Sequence, residues 1–243
     1  AWAVLSDPLR RRRYDAMLQA AETALREFPA LQPEFRHERG RALMRLGRPD
    51  PAIEDFEFAR ARASSPADRE EATYYAAELR LRALDRRGVP IARELAGGRA
   101  PFGPLSEILL GLYQLDVRHE DPYPLLRSGL SRIPYLGAVE SHAPDFEALH
   151  DRLRTAGEKE DQPSRVRGLA SVYEELFRLF PDRLDYGFDA ADLRYRVGLR
   201  WMARAIEERR TDPRIADETS RAAAALLAEA ARAYDRLATG SRA

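Results

Sequence analysis

The stretch Pro33–Pro66, PEFRHERGRALMRLGRPDPAIEDFEFARARASSP, decides the fold. Its apolar residues recur at helical spacing, in two runs broken at Gly47. The first run predicts a helix from Glu34 to Leu46, with Phe35, Arg39, Leu43 and Leu46 near one stripe. Gly47 stops it, because glycine enters the left-handed C′ conformation without a Cβ penalty. Asp50-Pro51 predicts the start of a second helix, with Asp50 as N-cap and Pro51 where a missing N–H does no harm. Ala52, Ile53, Phe56, Ala59 and Ala63 then fall on a matching stripe, while Gly40 and Ala42 are small where two antiparallel helices must approach. Neither helix buries its apolar face alone, so neighbours must stack on the pair.

Composition narrows the function classes. The 243 residues are 44% hydrophobic, enough for one elongated or two small domains. Charged residues make up 33% and the net charge is zero, which argues against a general nucleic-acid binder with its basic face. The cations are nearly all arginine; Lys159 is the only lysine. No cysteine is present, which excludes disulfides, thiolate metal sites and a cysteine nucleophile. No apolar run approaches the roughly 20 residues of a membrane span, and no signal peptide is visible. The chain begins at Ala1 without an initiator methionine, so a removed upstream segment is expected.

Taken in order, the periodicity predicts helices throughout. Tyr14–Phe28 carries Tyr14, Met17, Leu18, Ala21, Leu25 and Phe28 inward. After the Pro33–Pro66 pair, Asp68 caps a helix over 69–87 that Gly88 ends. Val89–Ala96 gives at most two turns, and Gly97–Pro104 is a Gly/Pro-rich break. That break divides the chain into 1–100 and 101–243, the second half packing on the first. Leu105–Leu115 reads as a buried helix, and Tyr123–Arg132 and Pro144–Thr155 as two more, with a loop at 133–143. AGEKEDQPS, residues 156–164, predicts a flexible surface connector. Ser164 caps Arg165–Phe180; Asp189 caps a helix to Arg209 with Leu193, Val197, Trp201, Ala205 and Ile206 inward; Asp212-Pro213 opens the last. Nothing alternates with period two, so no sheet is expected.

Gly40, Leu43, Leu46-Gly47, Ala52, Phe56, Ala59 and Pro66 resemble the tetratricopeptide repeat (TPR), at the family's length of about 34 residues. Arg36 stands where the family often has an apolar residue, and Pro66 comes about two residues late. The resemblance implies an all-α, right-handed solenoid of helical hairpins, with a more irregular C-terminal half. It names an architecture rather than an activity. A second resemblance lies in Ala1–Asp15. Trp2, Val4-Leu5, Ser6-Asp7-Pro8, Arg10–Arg13 and Tyr14-Asp15 are similar to the end of a J domain of DnaJ-type co-chaperones. That family stimulates Hsp70 through a His-Pro-Asp loop, which this sequence lacks. The implied alternative is a co-chaperone fragment whose Hsp70 link needs an upstream portion.

Catalytic patterns are absent. No Gly-rich phosphate loop, nucleophile elbow or zincin motif occurs, and no cofactor or enzyme activity is expected. His119, Glu120, Asp121, His142, Asp145 and His150 read as surface polar residues rather than a metal site, since none shows helical ligand spacing. Arg10–Arg13 wraps around a helix and reads as a solvated surface. In TPR arrays the first helices of successive repeats line a concave, peptide-binding surface. On the predicted Glu34–Leu46 helix the outward residues are His37, Arg41, Met44 and Arg45, which predicts a basic groove for an acidic or C-terminal carboxylate peptide. The chaperone-clamp pattern is not carried over, because only Arg45 fits it. The expected function is a non-enzymatic scaffold or adaptor that binds another polypeptide in a concave wall formed by Glu34–Leu46, Arg69–Arg87 and one helix of the second half. A cytoplasmic location is expected, with a periplasmic or exported assembly factor as the alternative if a signal peptide was removed.

Overall fold

Proline, set just inside a helix start, opens most of the elements. The protein is described by a computed structural model covering residues 7–28, 31–117, 120–135, 137 and 146–240. Among these residues lie eleven α-helices and no strand, so the chain is all-α. They are α1 (Pro8–Glu27), α2 (Gln32–Arg45), α3 (Pro49–Arg62), α4 (Pro66–Arg82), α5 (Gly88–Leu95), α6 (Phe102–Val117), α7 (Tyr123–Ser131), α8 (Phe146–Lys159), α9 (Pro163–Leu179), α10 (Leu184–Glu208) and α11 (Pro213–Gly240). No helix among them is long and apolar enough to cross a membrane. The chain divides into two compact units, Ala1–Tyr113 and Gln114–Ala243. The division falls inside α6 rather than in the Gly97–Pro104 break. The start of α6 is tied back to the first unit: the Phe102 ring meets Tyr74 at 5.5 Å, and Glu107 Oε1 accepts from the Gly97 N–H at 3.0 Å.

In the first unit each helix packs on the next: α1 on α2, α2 on α3, α3 on α4 and α4 on α5. Asp7 caps α1 through its Oδ1, which accepts from the Leu9 and Arg10 N–H groups. Trp2, Val4 and Leu5 of the J-domain-like stretch lie outside the described residues. Met17 and Phe28, expected inward, are exposed, and Ala21 is the only buried residue of α1. Gly47 ends α2 as predicted, at φ 72°, with Arg48 N–H donating to Leu43 O and Gly47 N–H to Met44 O. The α3 start differs from expectation. Pro49 takes the first helical position, Arg48 is the N-cap, and Asp50 sits within the first turn. Gly40 meets Phe56 so closely that a Cβ there would lie 3.0 Å from the ring. Ser65, not Asp68, caps α4, which stops at Arg82 before a turn holding Leu84 at φ 56°. The long helix predicted over 69–87 is therefore shorter, and Gly88 begins α5 instead of ending α4. Arg80 closes the corner, donating to Glu57 of α3 and to Asp85 of the turn.

In the second unit α9 is central, packing on α7, α8, α10 and α11, while α10 and α11 form a long antiparallel hairpin. Close approach again uses glycine: a Cβ on Gly198 would lie 2.9 Å from Leu227, and one on Gly168 3.0 Å from Tyr123. The predicted connector at 156–164 is largely helical. α8 runs to Lys159, Pro163 opens α9, and Glu160 between them is buried. Glu160 accepts from Arg165 Nε at 2.8 Å and from the Tyr123 hydroxyl at 3.3 Å, which holds the join rigid. Trp201 Nε1 donates to Asp161 O at 2.6 Å and pins the same segment from α10. α10 starts at Leu184, so Asp189 is not its cap but lies one turn inside.

Candidate functional site

His37 does not point outward. It is buried against α4, its ring 5.6 Å from Phe56 and 6.2 Å from Tyr75. The cause is the second and third turns of α4, which lay Glu71 and Tyr75 over the α2 face that the sequence left open. Met44 is half-buried. Arg41 is partly exposed but answered by Glu38 at 3.3 Å, and Arg45 is exposed. The four residues therefore do not form one basic surface.

What replaces it is a small cavity of about 130 Å³ lined by Pro33, Glu34, His37, Glu38, Ala59, Ala63 and Asp68. His37 is only 7% exposed, yet its Nε2 makes no hydrogen bond. The Glu71 carboxylate stands 3.9 Å away, beyond hydrogen-bond reach. Burial lowers the His37 pKa, partly offset by Glu71 and Glu38, so the ring is held toward its neutral form. Three carboxylates, Glu34, Glu38 and Asp68, line the walls above it. A volume of 130 Å³ is well below the roughly 300–1,000 Å³ of small-molecule pockets, but suits the end of one side chain. The carboxylates make the cavity negative, the chemistry that suits an ammonium or guanidinium group.

A larger cavity, about 500 Å³, lies in the second unit between Gln114, Asp116, Tyr123, Arg152, Lys159 and Arg165. Its charges largely answer one another, Arg152 with Asp116 at 3.2 Å and Arg165 with Glu160.

His150 is not a surface residue. It is buried with Nε2 2.6 Å from Asp189 Oδ2, its ring edge-on to Tyr186. It is thus a structural tie between α8 and α10. Among the described residues no group of histidines and acids could hold a metal ion; His119, His142 and Asp145 lie outside them. Sequence reading missed the buried acid Asp55, which accepts a two-pronged bond from Arg39 at 2.6 and 2.7 Å. The signal was there: an acid between Ala52 and Phe56 on the inward stripe, facing Arg36 and Arg39 one turn apart.

Neither protein-family models, nor curated proteins, nor solved structures give a match to this chain, which leaves its own geometry as the ground for a functional reading.

Proposed function

We propose that this chain is a non-enzymatic, TPR-like adaptor whose first unit binds another polypeptide across α2 and α4, taking a lysine or arginine side chain of the partner into the His37 cavity. The observation that carries this is the small cavity that His37 lines together with the carboxylates of Glu34, Glu38 and Asp68. Carboxylates at the rim of so small a cavity favour a cationic side chain end over an acidic one. The order of small and large residues in Pro33–Pro66 and the helix-on-next-helix packing of the first unit support the repeat reading. Partner charge is proposed opposite to the sequence expectation, because Arg41 is matched by Glu38 and carboxylates dominate the cavity.

The test is fluorescence anisotropy of the full chain with labelled peptides sorted by charge. Lysine- and arginine-containing peptides should bind, and binding should weaken with salt. Glu34→Gln with Asp68→Asn, both at exposed positions, should weaken it about tenfold, the equivalent of about 1.4 kcal/mol. Equal binding of acidic peptides, or a double variant that binds normally, would refute the reading.

A further inference from the structure

Helix α10 carries a second surface, independent of the polypeptide site. Leu184, Phe188, Tyr195, Leu199, Met202 and Ile206 follow at intervals of four, seven, four, three and four residues. That spacing places all six on one stripe of an α-helix, about 33 Å long at 1.5 Å per residue. The stripe is not the core face, which holds Leu193, Val197 and Ala205. Five of its residues are 43–64% exposed, and Met202 is half-buried. α11 extends it, with Tyr234 6.3 Å from the Phe188 ring. Scattered exposed apolar residues need no explanation, but a continuous stripe of this length does.

The charges beside the stripe are polarised. Asp185 and Asp192 flank its amino-terminal half, Arg196 and Arg200 the other. Glu207 breaks the pattern only at the far end, next to Arg204. Under a two-fold axis normal to the helix, near Tyr195, each polar flank meets the same flank of the second copy running the opposite way. Asp192, which pairs with Arg196 of its own helix at 2.6 Å, then also faces Arg196 and Arg200 of the other copy, and the reverse. We infer that α10 is the interface of a reversible, antiparallel homodimer of this chain. The stripe measures roughly 33 by 10 Å, or on the order of 700 Å² over two copies, so the dimer belongs with weak and transient interfaces.

Sedimentation equilibrium of the full chain should show the mass rising from one chain toward two across micromolar concentrations. Leu199→Glu and Phe188→Glu should each raise the dimer Kd by about tenfold or more, with an unchanged far-ultraviolet circular dichroism spectrum. Arg196→Glu and Asp192→Arg should each weaken self-association, and their equimolar mixture should restore it as a heterodimer. A one-chain mass up to hundreds of micromolar overturns the proposal, as does a dimer indifferent to Leu199→Glu. A monomer that co-sediments with anionic vesicles and loses that through Leu199→Glu would assign the stripe to a lipid surface instead. A mixture that fails to reassociate overturns the antiparallel arrangement.

Discussion

Asp55 has no exposure at all, and its charge is tolerated because Arg39 grips both oxygens while Arg36 reaches one of them at 3.4 Å. Removing one partner of such a pair costs more than the pair contributes, since the other charge is left stranded. The Arg39 side chain is 27% exposed and recovers part of its hydration, so Asp55→Ala should cost about 2–3 kcal/mol, at the low side for buried pairs. Urea unfolding would measure this as a lower midpoint at an unchanged slope. His37 gives the residue-scale pH dependence. Its folded pKa is lowered by burial, against Glu71, Glu38 and Asp68, which raise it, and with Arg41, which also lowers it. The unfolded ring titrates near ~6.5. Above that value both states are neutral and the contribution is fully present. As pH falls below it, the unfolded state takes up the proton first and stability is lost until the depressed folded pKa is passed. His37→Gln should therefore flatten the pH dependence of the melting temperature below about pH 6.5. Cationic-peptide affinity should fall in the same direction, because a protonated ring repels the ligand.

At the scale of elements, helix existence was legible and helix ends were less so. The stripes of Ala52, Phe56, Ala59 and of Leu169, Val172, Tyr173, Leu176 are buried as read. Starts shifted because three successive candidates, Pro49, Asp50 and Pro51, compete to open α3, and the outermost proline wins. The join at 160–162 was misread because AGEKEDQPS holds no apolar residue beyond Ala156. Its order comes from Glu160 bonding to Tyr123 and Arg165, a long-range partnership that periodicity does not encode. For the site, His37, Arg41 and Arg45 were all read as outward; Arg41 and Arg45 are accessible, but His37 is buried. Its burial depends on Tyr75 and Glu71 from a helix two elements later. The turn after α4 supplies a prediction at this scale. Leu84 sits at φ 56° and is exposed, so its side chain contributes little packing while its backbone is strained. The left-handed conformation costs roughly 1–2 kcal/mol for an ordinary residue, against roughly 0.5–1 for the extra freedom glycine loses on folding. Leu84→Gly should then stabilise the chain by about 0.5–1 kcal/mol, read as a higher urea midpoint.

At the scale of the whole molecule, the two units are wired differently. The first stacks each helix on its successor, and its leading helix, with Ala21 alone buried, has the least to lose by opening. Hydrogen exchange followed by mass spectrometry should find the α1 amides losing protection before those of α2, α3 and α4. Equal protection of α1 would mean that it is held by more than its packing on α2. The Gly97–Pro104 break was visible in composition, but the boundary at residue 113 was not, because α6 continues unbroken across it.

The packing of α7 on α9, past the intervening α8, has a consequence for synthesis. When α7 leaves the ribosome its partner is still unmade, and more than thirty further residues must follow before Pro163 opens α9. Through that interval Tyr123, Leu126 and Leu130, each 1% exposed or less in the folded unit, have no α9 surface to cover them. Loop closure must come before their burial is rewarded, whereas the first unit gains a docking surface with every helix added. The nascent second unit thus passes through a window of exposed hydrophobic surface, and any chaperone demand of this chain should peak there.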